Sequence, residues 1–337
     1  MKHLLSLALL GASAALLTAQ TEQTIIDRSQ QPGTPARPET PATSSVAPGD
    51  VDSGTQRIAE SRKLPFKLNF AYDSQVYHSN NIRLAASGTP EQDAVIFANT
   101  LALRAEFASH AIGEGLLTPS VGFTYQRFYH GVGENNFKDL DFDSYSVPLS
   151  LRYRFGKNWE ATAGLTANSV YSLAEYHLIY RSYSPGLGLR KLISLGENQI
   201  LSLGGNLSYS LTKADRDSTP AGFSAFRDDR NDKWDASVDA AYYYLHGKWV
   251  AGPYVRLAYT DYLHYQETSV LPLAATNVDR RDITGSVGLS VSYNFTDWAS
   301  ARLFTNFDWR DSQGDRAFDY GYANTNAGLG LTLSASY

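Results

Sequence analysis

Tyr77-His78-Ser79-Asn80 puts an imidazole, a hydroxyl and an amide within four residues, the side-chain types that acyl transfer uses. A serine nucleophile needs its base within hydrogen-bond reach. His78 and Ser79 are adjacent, so a strand aims them at opposite faces. The other histidines of the mature chain (His110, His130, His177, His246 and His264) fall in expected turns or loops. Asp215, Asp217, Asp228 and Asp229 could hold a cation, but they match no EF-hand spacing and read as a solvated loop. With no cysteine, thiolate metal sites and disulfide frameworks are excluded. The expectation is no catalytic residue, no metal site, no cofactor and no enzyme.

A second set of charges has a different context. Arg104, Arg152, Arg154, Arg190, Arg256 and Arg302, with Asp73, Glu106, Asp235, Asp239 and Asp308, alternate with apolar residues. Their elements must therefore be strands with one greasy and one polar face. Inside a barrel such charges either pair and close the lumen or line an aqueous path that selects solutes. Both readings stay open at this stage. Arg152, Arg154 and Arg190 share their strands with no inward carboxylate, which predicts a local positive excess and a preference for anions.

The C-terminus shows the alternation best. Leu329, Leu331, Leu333, Ala335 and Tyr337 interleave with Gly330, Thr332, Ser334 and Ser336. An apolar outside over a small, polar inside is what a transmembrane β-barrel needs. Rows such as Phe66-Leu68-Phe70-Tyr72, Tyr145-Val147-Leu149-Leu151-Tyr153-Phe155 and Ile283-Val287-Leu289-Val291-Tyr293-Phe295 repeat it. Twelve such segments fit between residues 64 and 337, an even number as a single-chain bacterial barrel requires. The fold expected is all-β: an antiparallel up-and-down transmembrane β-barrel of about 12 strands.

Connections alternate in length. Gly156-Lys157-Asn158, His246-Gly247-Lys248 and Thr296-Asp297 read as tight hairpins, and the turns near 109–116 and 194–199 as slightly longer. Longer polar segments lie at 78–93, 129–142, 172–181, 213–232, 262–281 and 311–323. Short turns on one side and long loops on the other place both termini in the periplasm. Aromatic residues should form two girdles. Phe107, Phe155, Tyr244, Phe295 and Tyr337 belong to the periplasmic one; Tyr72, Tyr125, Tyr145, Tyr171, Tyr209, Tyr259 and Trp309 belong to the surface one. Pro119, Pro148, Pro185 and Pro253 fall in or near strands and are expected at bulges or strand starts.

Residues 1–19 read as a signal peptide: Lys2 and His3, an apolar run from Leu4 to Leu17, then a cleavage site at Thr18-Ala19 or a few residues earlier. Residues 20–63 carry five prolines, many Thr and Ser, and no aromatics, the composition of a disordered periplasmic linker. No later segment is apolar for the ~18 residues a helical span needs. Of the whole chain, 12% is aromatic, including 22 Tyr, and 19% is charged. The net charge of −5 argues against a nucleic-acid partner.

Tyr72-Asp73-Ser74-Gln75-Val76-Tyr77, followed by Asn80-Asn81, resembles the opening of the porin-like outer-membrane β-barrel family of Gram-negative bacteria, with Gln75 in place of that family's Asn. The terminal Leu331, Leu333 and Tyr337 resemble the barrel-assembly signal. The resemblance implies a barrel over residues 64–337, in the cell outer membrane, with lipid and the barrel assembly machinery as partners. The functional expectation is a passive channel for small hydrophilic solutes, lined by Arg104, Arg152, Arg154, Arg190, Arg256, Arg302, Glu106, Asp235 and Asp239. The alternative is a closed structural or surface-interaction barrel that works through its extracellular loops. Oligomeric state is not legible.

Overall fold

The structure is a computed structural model, and it describes residues 65–86, 92–132, 135–214, 227–270, 273–314 and 320–337. The expected signal peptide (1–19) and linker (20–63) lie outside the described residues, as do Asp215 and Asp217.

The period-two segments form β1 Phe66–Ser79, β2 Ala94–Phe107, β3 His110–Ile112, β4 Gly115–His130, β5 Phe142–Phe155, β6 Trp159–Ser172, β7 Leu178–Gly196 and β8 Gln199–Ala214. They continue as β9 Lys233–His246, β10 Trp249–Tyr262, β11 Gln266–Val270, β12 Leu273–Asn277, β13 Arg280–Asn294, β14 Ala299–Gln313 and β15 Tyr322–Ser336. Each long strand pairs antiparallel with its chain neighbours, and two further pairings, β2–β4 and β1–β15, close the ring. Leaving out β3, β11 and β12, the ring has twelve strands. Strand β3 continues the line of β2 along the start of β4, and β11–β12 is a hairpin within the loop before β13. All twelve segments expected from the sequence became the ring strands.

Closure is made at the C-terminus. Tyr337 and Leu68 exchange both backbone hydrogen bonds, each 2.9 Å. Eleven residue pairs, from Asn69–Ser336 to Ser79–Asn326, zip β1 to β15. Closure leaves the ring no free edge, so each of its twelve strands has a partner on both sides.

Strand phase sorts the two faces as the alternation requires. Leu103, Leu149, Leu187, Val238, Leu257, Leu289, Leu303, Leu329 and Leu331 are exposed on the outside. An exposed apolar belt of this extent has lipid as its complement. At the turn end, Phe107, Tyr244, Phe295 and Tyr337 ring the belt, joined by Trp159, Trp249 and Trp298. At the loop end stand Tyr145, Tyr183, Trp234 and Tyr259. Tyr72 departs from expectation. Strand β1 runs seven residues past it, so Tyr72 sits in mid-strand and donates to Asn99 Oδ1 at 2.8 Å.

The prolines also differ from expectation. Pro148, Pro185 and Pro253 lie inside strands, and beside each the ladder lapses for two residues, then resumes in the same register. A missing N–H is thus absorbed by omitting a bond rather than by inserting a bulge. Register shifts occur elsewhere, at Val170/Tyr171 and Ser194/Gly196.

Candidate functional site

The inner wall is built from the phase opposite to the lipid belt, and cross-strand register shows which residues stand side by side. One row reads Ser120, Ser150, Gly164, Gly186, Ser208, Asp235 and Thr260 from β4 to β10. At mid-strand the inward residues of β6 to β8 are small: Thr162, Gly164 and Thr166; Ser182, Ser184, Gly186 and Gly188; Gly204, Asn206, Ser208 and Ser210, with Glu160, Arg190 and Ile200 flanking them toward the turn end and Val170 and Tyr180 toward the loop end. In a ring of twelve, β6, β7 and β8 lie six strands from β14, β15 and β1. The wall they face carries Arg302, Phe304, Asn306, Asp308, Asp73 and Tyr77. A smooth, small-residue wall therefore faces a charged and aromatic one.

The charged residues are held mostly as cross-strand pairs. Glu106 lies 2.9 Å from Arg152 Nη2 and 3.3 Å from Arg104 Nε. Glu160 lies 3.1 Å from Arg154 Nε and 3.9 Å from Arg152 Nε. Arg302 reaches Asp73 at 2.8 Å, and Thr332 donates to the other oxygen of that carboxylate at 2.6 Å. Asp235 accepts from Thr260 at 2.6 Å and lies 3.7 Å from Lys233 Nζ. Asp239 stands opposite Arg256 in register, and its side chain covers Gly204, where an added Cβ would come 2.6 Å from Asp239 Oδ1. Asp308 accepts from Asn306 and, at 3.1 Å, from Asn326. Arg190 and Arg256 form no ion pair with a described residue; Arg256 reaches only the Ser237 hydroxyl, at 3.5 Å.

This reduces the expected positive excess without removing it, since Arg104, Arg152 and Arg154 share Glu106 and Glu160 and Arg190 has no ion pair with a described residue. Arg152 and Arg154 are matched by carboxylates on other strands, Glu106 of β2 and Glu160 of β6. Glu160 was legible in principle: it precedes Ala161, Ala163 and Leu165, so strand phase turns it inward.

Two features at the loop end have no counterpart in the sequence reading. Ile82, Ala94, Ile96, Phe137, Leu140, Phe142, Val170, Ile179 and Tyr180 form one buried apolar cluster. Ile96, Phe142, Val170 and Tyr180 point inward by strand phase. The short 3₁₀ helix Asn135–Leu140 is thus tucked into the mouth beside β1, β2 and β5 to β7. Across the mouth, Arg280 is fully buried, 2.6 Å from Asp282. Its guanidinium packs against the rings of Tyr262, Tyr265 and Tyr320 at 4.6, 4.6 and 4.3 Å. Below it a cavity of about 130 Å³ is lined by Lys233, Asp235, Arg256, Asp308 and Arg310, among others.

His78 and Ser79 separate as strand parity requires. His78 points out to Asp93 at 3.2 Å, and Ser79 points in and donates to Asn324 Oδ1 at 2.8 Å. The bond to His78 holds the Asp93 carboxyl below its usual range. In the loop before β9, Arg227 does the same to Asp229, while its own guanidinium is raised.

A closed antiparallel ring, apolar outside and polar inside, decides the architecture. The chain is an outer-membrane β-barrel. No protein-family model matches the sequence, and no curated protein matches it. Solved structures share the barrel. An outer-membrane channel from Pseudomonas putida F1 is 14% identical, with 85% of this chain and 100% of that one covered at TM-score 0.47. The translocator domain of the autotransporter NalP from Neisseria meningitidis is 12% identical, covering 81% and 90% at TM-score 0.42. The KdgM porin in complex with disordered oligogalacturonate is 12% identical, covering 78% and 98% at TM-score 0.38. At these identities the likeness is one of fold.

Proposed function

We propose that this barrel is a passive channel for small hydrophilic solutes across the outer membrane, with its loops at the cell surface. The observation that carries this reading is the small-residue wall on β6 to β8. Small inward residues on several adjacent strands leave that side of a barrel's lumen unfilled by its own wall. Here three adjacent strands contribute Gly, Ser, Thr and Asn over a run of consecutive inward positions, bordered toward the turn end by Glu160 and Arg190. The paired charges of the facing wall present hydrogen-bonding groups to a hydrated solute without a strong net field. Arg104, Arg152, Arg154, Arg190, Arg256, Arg302, Glu106, Asp235 and Asp239 are the proposed pore lining.

The apolar cluster around Phe137 and Leu140 favours a second reading, a barrel stoppered at its loop end. One experiment separates them. Refolded protein and a variant with residues 135–140 replaced by Gly and Ser are compared in planar bilayers. Discrete conductance steps in the parent support the channel. Steps in the variant alone identify the helix as a stopper, and steps in neither support a structural barrel.

A further inference from the structure

Arg181 of β7 and Lys213 of β8 stand directly opposite one another. Both belong to the outward phase, one outward position beyond the exposed Tyr183 and Leu211. Like charges facing each other across a ladder destabilise a sheet unless something neutralises them. Arg181 Nε makes a long bond, 3.4 Å, to Ser169 Oγ, and neither cation forms an ion pair with a described residue. The other outward cations at this end are neutralised: Arg127 binds both oxygens of Asp143 at 2.7 and 2.6 Å, and Arg281 lies 3.4 Å from Asp261.

Depth identifies what sits against the pair. Register runs one outward row through Tyr125, Tyr145, Ser169, Arg181 and Lys213 from β4 to β8, and from β5 to β8 it stays within three residues of each strand's loop end. The Tyr125 and Tyr145 rings lie 5.2 Å apart, and such tyrosines sit at headgroup depth. Beneath the cations, Tyr183, Leu187, Leu207 and Leu211 offer an apolar surface to acyl chains.

We propose that Arg181 and Lys213 bind the phosphomonoester headgroup of a lipid in the leaflet at the loop end. A phosphomonoester carries close to two negative charges, matching two cations, and offers three acceptor oxygens. The guanidinium suits two of them in a fork, and the ammonium serves as a point charge. The apolar patch below makes a lipid, rather than free phosphate, the fitting occupant. The proposal holds whether or not the lumen conducts.

The test uses the full chain refolded into phosphatidylcholine micelles doped with either phosphatidate, a monoester, or phosphatidylglycerol, a diester. Lipid retained on the barrel is counted by native mass spectrometry, and the thermal midpoint is followed by heat-modified gel mobility. Phosphatidate is expected to be retained and to raise the midpoint, phosphatidylglycerol less so. The double variant Arg181→Ser, Lys213→Ser should bind phosphatidate about tenfold more weakly, the equivalent of one lost charge-assisted contact. Arg181→Lys with Lys213→Arg should keep most binding, and Lys157→Ser, at the turn end, should keep all of it. Equal retention by parent and Ser variant, no preference for the monoester, or the same midpoint rise from inorganic phosphate alone would each overturn the assignment.

Discussion

Arg152 of β5 reaches past β4 to Glu106 of β2, closing to 2.9 Å across a strand that separates them in the ring. On β4, Ser120 stands opposite Glu106 and Thr118 opposite Arg152, and their short side chains leave the path clear. Both partners are largely shielded, with side-chain exposures of 12% and 11%. The pair therefore ties three strands together at the turn end of the lumen.

Removing either partner should loosen that end. Arg152→Ser and Glu106→Gln are each expected to lower barrel stability, and the double variant to lose less than the sum. The coupling should be about 1–2 kcal/mol, in the range for contacting charged side chains. Urea unfolding from micelles measures the cycle. Strict additivity would show that the contact contributes nothing.

The same pairing sets a direction for ion selectivity. With Arg152 and Arg154 replaced by Ser, Glu106 and Glu160 lose their closest partners and the local field turns negative. Reversal potential in a salt gradient should move toward cation preference. Adding Glu106→Gln and Glu160→Gln should bring it back toward the parent value. No movement in either variant would place these residues off the conduction path.

Deleting Tyr337 removes the two backbone bonds that join it to Leu68 and an outward aromatic at the turn-end interface. Export should continue while insertion falls. The readout is the fraction of heat-modifiable barrel in the outer membrane against protein in the periplasm. Equal amounts for parent and deletion would sever this residue from assembly.

Trypsin on intact cells should distinguish arginines that share the loop end. Arg227 is exposed and should be cut early if the loops face outward. Arg280 lies wholly buried among three tyrosines and should resist. Replacing Tyr320 by Ala should open that cage and speed cleavage after Arg280 several-fold, since local opening governs access. First cleavage at Lys157 or Lys248, in the turns, would invert the orientation.

Strand number, strand phase and the closing end were legible because they depend on a local rule. In a strand, neighbouring side chains face opposite ways, so Leu329 through Tyr337 declare an outside and an inside without knowledge of any partner. His78 and Ser79 were separable on the same ground. What the rule cannot supply is register between strands distant in sequence. Arg152 and Arg154 read as an unmatched cluster because Glu106 lies 46 residues away, and only the ring brings it within reach. The proline positions were visible, but the response to them, two omitted pairings rather than a bulge, depends on the neighbouring strand. The loops were read by length alone. Their infolding, with Phe137 and Leu140 in the mouth and Arg280 among Tyr262, Tyr265 and Tyr320, comes from burial of apolar and aromatic surface that the finished barrel alone presents. The sequence by itself determined a membrane barrel and its two faces; tertiary structure decided which charges meet, where the lumen is smooth, and what covers its mouth.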